Sequence, residues 1–236
     1  PVIDLLICMP GNADNDAFDV ARDIKGKFPN IHCVVLTPFS HGITKRMQNE
    51  DLSIFDYVFC WLGNTNLILS IIKLIEDKMN LEHDIQEAGV QMILLVEDSI
   101  RFYSSILPNL YNYILEQSKN FSQEALNRHA ATMRMRGRPK VVLARTYEEA
   151  QKLYDKYSDN TLGVISDARF PLKSAAKAFG NEVMPEEKPK HRTDTFGREK
   201  CPDAGLQLFR YIRKNDPFVP LIIESSESEN RAKAEA

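Results

Sequence analysis

Three apolar runs in this chain stop on polar groups that can do chemistry together. Met92–Val96 ends in Glu97-Asp98, Leu162–Ser166 ends at Asp167, and Pro220–Ile223 runs into Glu224-Ser-Ser226. If the three runs are neighbouring strands of an open parallel sheet, their carboxyl ends share one crevice, where such sheets bind ligands. Carboxylates brought that close repel one another unless a cation sits among them. Mg²⁺ suits such a set, because it takes oxygen ligands, keeps several waters and bridges to phosphate. A carboxylate can also be the nucleophile in aspartyl-phosphate chemistry. A hydroxyl opposite, Ser225 or its rival Ser226, can hydrogen-bond a phosphoryl oxygen.

The elements that must position these groups alternate in kind. Val2–Cys8, Ile31–Leu36 and Phe55–Trp61 read as buried strands. Asp16–Phe28 and Asn66–Met79 carry apolar residues at helical spacing, Thr44–Glu50 reads as a weaker helix, and residues 81–91 read as a polar connection. Further strands are expected at Met92–Val96, Lys140–Ala144, Leu162–Ser166 and Pro220–Ile223. Helices are expected over Ser99–Met135, with a kink or a restart at Pro108, over Tyr147–Tyr157 and Ala204–Lys214, and at the start of the tail Ser228–Ala236. Residues 172–203 form a polar stretch too long for an ordinary loop. Strands alternating with helices imply an α/β fold with parallel sheets covered on both faces.

The motifs in the second half resemble the receiver domain of two-component signalling. Ile93-Leu-Leu-Val-Glu-Asp-Ser99 is similar to its first strand and acidic pair, and Gly163-Val-Ile-Ser-Asp-Ala-Arg-Phe-Pro171 to its third strand, with a proline four residues after the phosphoacceptor. Asp203-Ala-Gly-Leu-Gln-Leu208 is similar to the start of its third helix, and Val219-Pro-Leu-Ile-Ile-Glu-Ser-Ser226 to its fourth strand and hydroxyl switch. The resemblance implies a flavodoxin-like topology. It implies Asp167 as phosphoacceptor and Mg²⁺ held by Glu97, Asp98, Asp167 and the backbone carbonyl of Arg169. It also implies Ser225 as the hydroxyl that senses the phosphate, and a histidine kinase or other phosphodonor as partner. Receivers place a lysine at the end of a fifth strand, and no residue here takes that position. Labelling of Asp167 in these residues alone is therefore expected to be slow or absent.

Residues 1–80 resemble the later part of a second, degenerate receiver. Phe28-Pro-Asn-Ile-His-Cys-Val-Val-Leu-Thr37 is similar to the fourth strand with Thr37 as its hydroxyl, and Phe55-Asp-Tyr-Val-Phe-Cys-Trp61 to the fifth, with Cys60 where the lysine belongs. The phosphoacceptor position falls within Leu6 to Met9, none of which is a carboxylate, so a contact role is expected for this unit. The expected organisation is two tandem receiver-like units, each incomplete: 1–80, a linker at 81–91, and 92–236. Their open apolar edges, at Val2–Cys8 and Pro220–Ile223, suggest pairing within the chain or in a homodimer. The combination of Leu95-Val-Glu-Asp-Ser-Ile-Arg-Phe-Tyr-Ser-Ser105, Arg138-Pro-Lys140 and Leu162–Pro171 also resembles the N-terminal region of phosphoenolpyruvate synthase-like proteins, which would put catalytic domains downstream in the same chain. A purely structural pair of pseudo-receivers is a third reading.

Bulk properties narrow the field. A net charge of −3 and a pI of about 6.0 give no reason to expect nucleic acid. The most apolar stretch, Leu67–Ile75, is interrupted by Lys73 and is far short of the roughly 20 residues of a membrane span, so no membrane partner is expected. Four scattered cysteines without a CxxC pair suggest a reduced, cytoplasmic protein without zinc. The chain opens with Pro1 inside an apolar run, which suggests a piece of something longer. The basic cluster Arg128, Arg134, Arg136, Arg138 and Lys140 reads as a solvated helix end or a dock for an acidic partner. Tyr103, Tyr111 and Tyr113 read as packing or interface residues.

Overall fold

A computed structural model describes residues 4–10, 17–38, 54–173, 193–194 and 198–225. The expected Thr44–Glu50 helix, the tail helix and Ser226 lie outside them. The chain divides into two compact units, Pro1–Ile75 with Ile100–Asn109, and Glu76–Ser99 with Leu110–Ala236.

In the first unit, strands β1 (Leu5–Cys8), β2 (His32–Pro38) and β3 (Tyr57–Trp61) form a parallel sheet in that order, with α1 (Ala17–Lys27) joining the first two. β2 and β3 are almost wholly buried, as continuous apolar strands in a parallel sheet must be. Phe18 meets Phe55 edge to face at 5.5 Å, and Phe59 meets Tyr103 in the same way at 5.4 Å. The Tyr103 hydroxyl donates to the Val58 carbonyl, and Ser104 Oγ accepts from the Cys60 amide at 2.9 Å.

The second unit carries β4 (Met92–Val96), β5 (Lys140–Ala144), β6 (Thr161–Asp167) and β9 (Leu221–Glu224), all parallel, in the spatial order β5-β4-β6-β9. Counted within the unit this is second, first, third, fourth, the order of flavodoxin-like sheets through four strands. The α/β class with parallel sheets is therefore as the sequence predicts. Met92, Leu94 and Val96 face a core shared with Tyr154 of α5 (Tyr147–Tyr157) and Leu208 and Ile212 of α6 (Ala204–Asn215). Leu95, between them, points to the opposite face and is just as buried. Among the described residues, β1 and β9 each pair on one side only.

Several boundaries differ from expectation. Residues 81–91 are not a linker. Helix α2 runs Asn66–Ala88, because Leu81 and Ile85 continue its apolar stripe. Gly89, at φ +60, ends it in the left-handed conformation that favours glycine. Pro108 does not break the long helix. α3 continues through it from Ile100 to Gln123, and the break falls at 124–127, where Asn127 caps α4 (Arg128–Arg136) by accepting from Ala130 at 2.8 Å. Most of the 172–203 stretch lies outside the described residues. Lys200–Cys201 (β8) pairs antiparallel with Phe170–Pro171 (β7), and Thr193 bridges Glu199.

The basic cluster is partly internal. Arg138 and Lys140 are buried, and both are taken up by carboxylates of α2. Arg138 makes a two-pronged contact with Asp77 (2.6 and 3.1 Å), and Lys140 pairs with Asp84 at 2.6 Å. Asp77 also accepts from the Tyr111 hydroxyl at 2.9 Å and the Val141 amide at 3.0 Å. A dock for an acidic partner built on Arg138 and Lys140 is therefore ruled out by their burial. Tyr103 and Tyr111 are core residues, as one of the two expectations had it, whereas Tyr113 is exposed.

Candidate metal and phosphoryl site

The order of the second sheet reverses at β4. The chain leaves β4 for β5 on one side and comes back to β6 on the other. The crevice at that switch point lies beyond the carboxyl ends of β4 and β6, where Glu97, Asp98 and Asp167 stand. One oxygen from each of these carboxylates lies within 4.8 Å of the others. Glu97 and Asp98 are 3% and 0% exposed, so little water screens them.

Backbone geometry fixes the three. The Glu97 amide donates to the Ala144 carbonyl of β5 at 3.0 Å, and Glu97 Oε1 accepts from the Ser99 amide at 2.9 Å. Asp167 accepts from the Ala168 amide at 2.7 Å and from the backbone of Arg169. The Ala168 amide also donates to Glu224 of β9, and its carbonyl accepts from Gly205 at the start of α6. Arg169 lies two residues beyond Asp167, on the loop between β6 and β7. Ser225 follows Glu224, the residue in register with Asp167, and its side chain is exposed.

A fourth charged group stands at the site. Lys200 of β8 brings its Nζ to 2.7 Å from Asp98 Oδ2. That contact holds the Asp98 carboxylate against the cost of its burial. Sequence reasoning missed Lys200, since nothing in Arg198-Glu-Lys-Cys201 marks it. It also missed Gly205, although its motif was recognised.

Burial pushes the Glu97 carboxyl up to about 8, helped by the Asp167 charge and opposed by the Ser99 amide. Burial likewise lifts Asp98 to about 6 against the pull of Lys200, and lifts Asp167 against the Ala168 amide. For Glu97 the folded chain holds its proton more firmly than the unfolded chain does. Its effect on stability is nil below about 4.5 and becomes a growing cost as pH rises, complete above about 8. Metal-free protein is thus expected to lose stability from mildly acid to mildly alkaline pH, with a shallower loss in Glu97→Gln and in saturating Mg²⁺. Denaturant midpoints across that range test this, and equal slopes in all three would contradict it.

Such a site can hold a hard divalent cation through carboxylate oxygens, and Asp167 is its most accessible carboxylate. In the first unit the corresponding strand ends carry Cys8, Thr37 and Cys60. Thr37 and Cys60 sit in register, and both are buried. No protein-family model, curated protein or solved structure matches this chain. Among the described residues no helix is long and apolar enough to cross a membrane.

Proposed function

We propose that the second unit is a receiver-type regulatory module that accepts a phosphoryl group on Asp167. The observation that carries the reading is the convergence of Glu97, Asp98 and Asp167 at the switch point of a parallel sheet. Glu97, Asp98, Asp167 and the carbonyl of Arg169 would hold Mg²⁺, which would neutralise charge on the incoming phosphoryl group. The protein's own part is to fix the nucleophile. Two backbone amides aim the Asp167 carboxylate, and burial of Glu97 and Asp98 removes competing water. Ser225, one residue past the strand partner of Asp167, would offer its hydroxyl to a phosphoryl oxygen.

The donor in this reading is a histidine kinase or a small acyl phosphate, in the cytoplasm. We read the first unit as a non-catalytic companion, because its strand ends offer thiols and a hydroxyl in place of carboxylates. Fluorine NMR with beryllofluoride tests the module directly. A bound signal is expected that needs both Mg²⁺ and Asp167, and that disappears in Asp167→Ala. A signal that persists in Asp167→Ala would refute the assignment.

A further inference from the structure

The cation that the acidic site holds in this structure belongs to the chain itself. Lys200 Nζ lies 2.7 Å from Asp98 Oδ2, and Asp98 is fully buried. Lys200 arrives from an element outside the four-stranded sheet. β8 pairs with β7 through only two residue pairs, Phe170 with Cys201 and Pro171 with Lys200, and β7 begins three residues after Asp167. Just before β8, Arg198 is tied to Asp194. The Arg198 amide and guanidinium both bond Asp194, at 2.7 and 2.6 Å, and the Asp194 amide returns a bond to the Arg198 carbonyl at 2.9 Å. The ammonium is therefore delivered by a paired strand rather than a stray side chain.

We propose that Lys200 is the resident counter-ion of this site, and that a divalent cation enters only by displacing it from Asp98. This rests on the reading of Glu97, Asp98 and Asp167 as metal ligands. A divalent ion bound by either Asp98 oxygen would stand within a few ångströms of the ammonium, where no solvent screens two like charges. One positive charge only partly balances the carboxylates, so the ammonium steadies the empty site yet leaves a divalent ion the stronger partner. Among the described residues the ties to break are the two residue pairs with β7, the Lys200–Asp98 ion pair and the contacts of Cys201 with Gln207 and the core. Metal loading would thus release β8 from β7, and Lys200–Cys201 would report the state of the site.

Mn²⁺ titration of the full chain, followed by electron paramagnetic resonance, tests the idea. Lys200→Met should bind Mn²⁺ at least about tenfold more tightly than wild type, and Lys200→Arg should bind no more tightly than wild type. Wild type should also gain amide exchange at Phe170 and Cys201 when Mn²⁺ is added. If wild type and Lys200→Met bind with equal affinity, or the variant binds more weakly, Lys200 accompanies the metal and the displacement is wrong while the metal reading stands. If neither binds saturably, with Lys200→Met retaining native circular dichroism, the metal reading falls and this inference with it. Should Lys200→Met fail to fold, the exchange measurement on wild type decides, and unchanged protection at Phe170 and Cys201 overturns the proposal.

Discussion

Gly205→Ala is expected to dismantle the acidic site from a position that carries no chemistry. A Cβ built on Gly205 would lie 2.3 Å from the Asp167 carbonyl oxygen and 3.1 Å from the Ala168 Cα. Both are backbone atoms, so no side chain can swing aside. Either α6 or the segment after β6 must move, and the Gly205 amide bond to the Ala168 carbonyl goes with it. Overpacking of this kind costs roughly 1–3 kcal/mol. The functional loss should be larger, because the Asp167 carboxylate is aimed by the amides of Ala168 and Arg169. A displacement of 1 Å can cost on the order of a hundredfold in rate. Gly26→Ala is the control. It lies in α1 with nothing within 4 Å of its built Cβ, and the exchange should be neutral or stabilising by up to about 1 kcal/mol. Thermal melts and beryllofluoride binding on both variants check the pair, and wild-type binding in Gly205→Ala would refute the packing argument.

Asp77→Ala should give the largest loss of stability in the second unit. The substitution leaves Arg138, 6% exposed, without its two-pronged partner, and strips acceptors from the Tyr111 hydroxyl and the Val141 amide. Removing one member of a buried ion pair typically costs about 3–5 kcal/mol, since the survivor stays charged and desolvated. Asp77→Asn should cost less, because an amide oxygen still accepts. Trp61, the sole tryptophan, lies in the first unit, so its fluorescence is the wrong probe. Amide exchange in β4 and β5 is the right one. Protection there should fall by at least about a hundredfold in Asp77→Ala, at 1.4 kcal/mol per tenfold. Protection within a factor of about three of wild type would contradict the network's importance.

The contrast between these residues explains what the sequence could disclose. Glu97, Asp98 and Asp167 were legible because each follows a run such as Met92–Val96 that is apolar on both faces, and a parallel sheet aligns the ends of such runs. The sheet order came from the resemblance to receiver domains, not from the runs themselves. Asp77 was not legible. It is one carboxylate on a helix with many charges, and its partner Arg138 lies 61 residues away. Lys200 was hidden for a similar reason, since it reaches Asp98 through an antiparallel pairing with Phe170–Pro171 that no local pattern announces. The end of α2 was misjudged because Glu82, His83, Asp84, Gln86 and Glu87 masked the apolar stripe carried by Leu81 and Ile85. Pro108 was given too much weight. The loss of one backbone donor did not outweigh packing of Tyr103, Leu107, Tyr111 and Ile114, all buried along the same helix.

Intact-mass measurement after incubation with acetyl phosphate and Mg²⁺ tests the central claim most directly. One phosphoryl group should accumulate on Asp167, slowly if at all in these residues alone and faster where a fifth-strand lysine is supplied. None should appear without Mg²⁺ or in Asp167→Ala. Equal labelling of wild type and Asp167→Ala, or no labelling in a chain that also carries the fifth-strand lysine, would contradict the assignment of Asp167 as the phosphoacceptor.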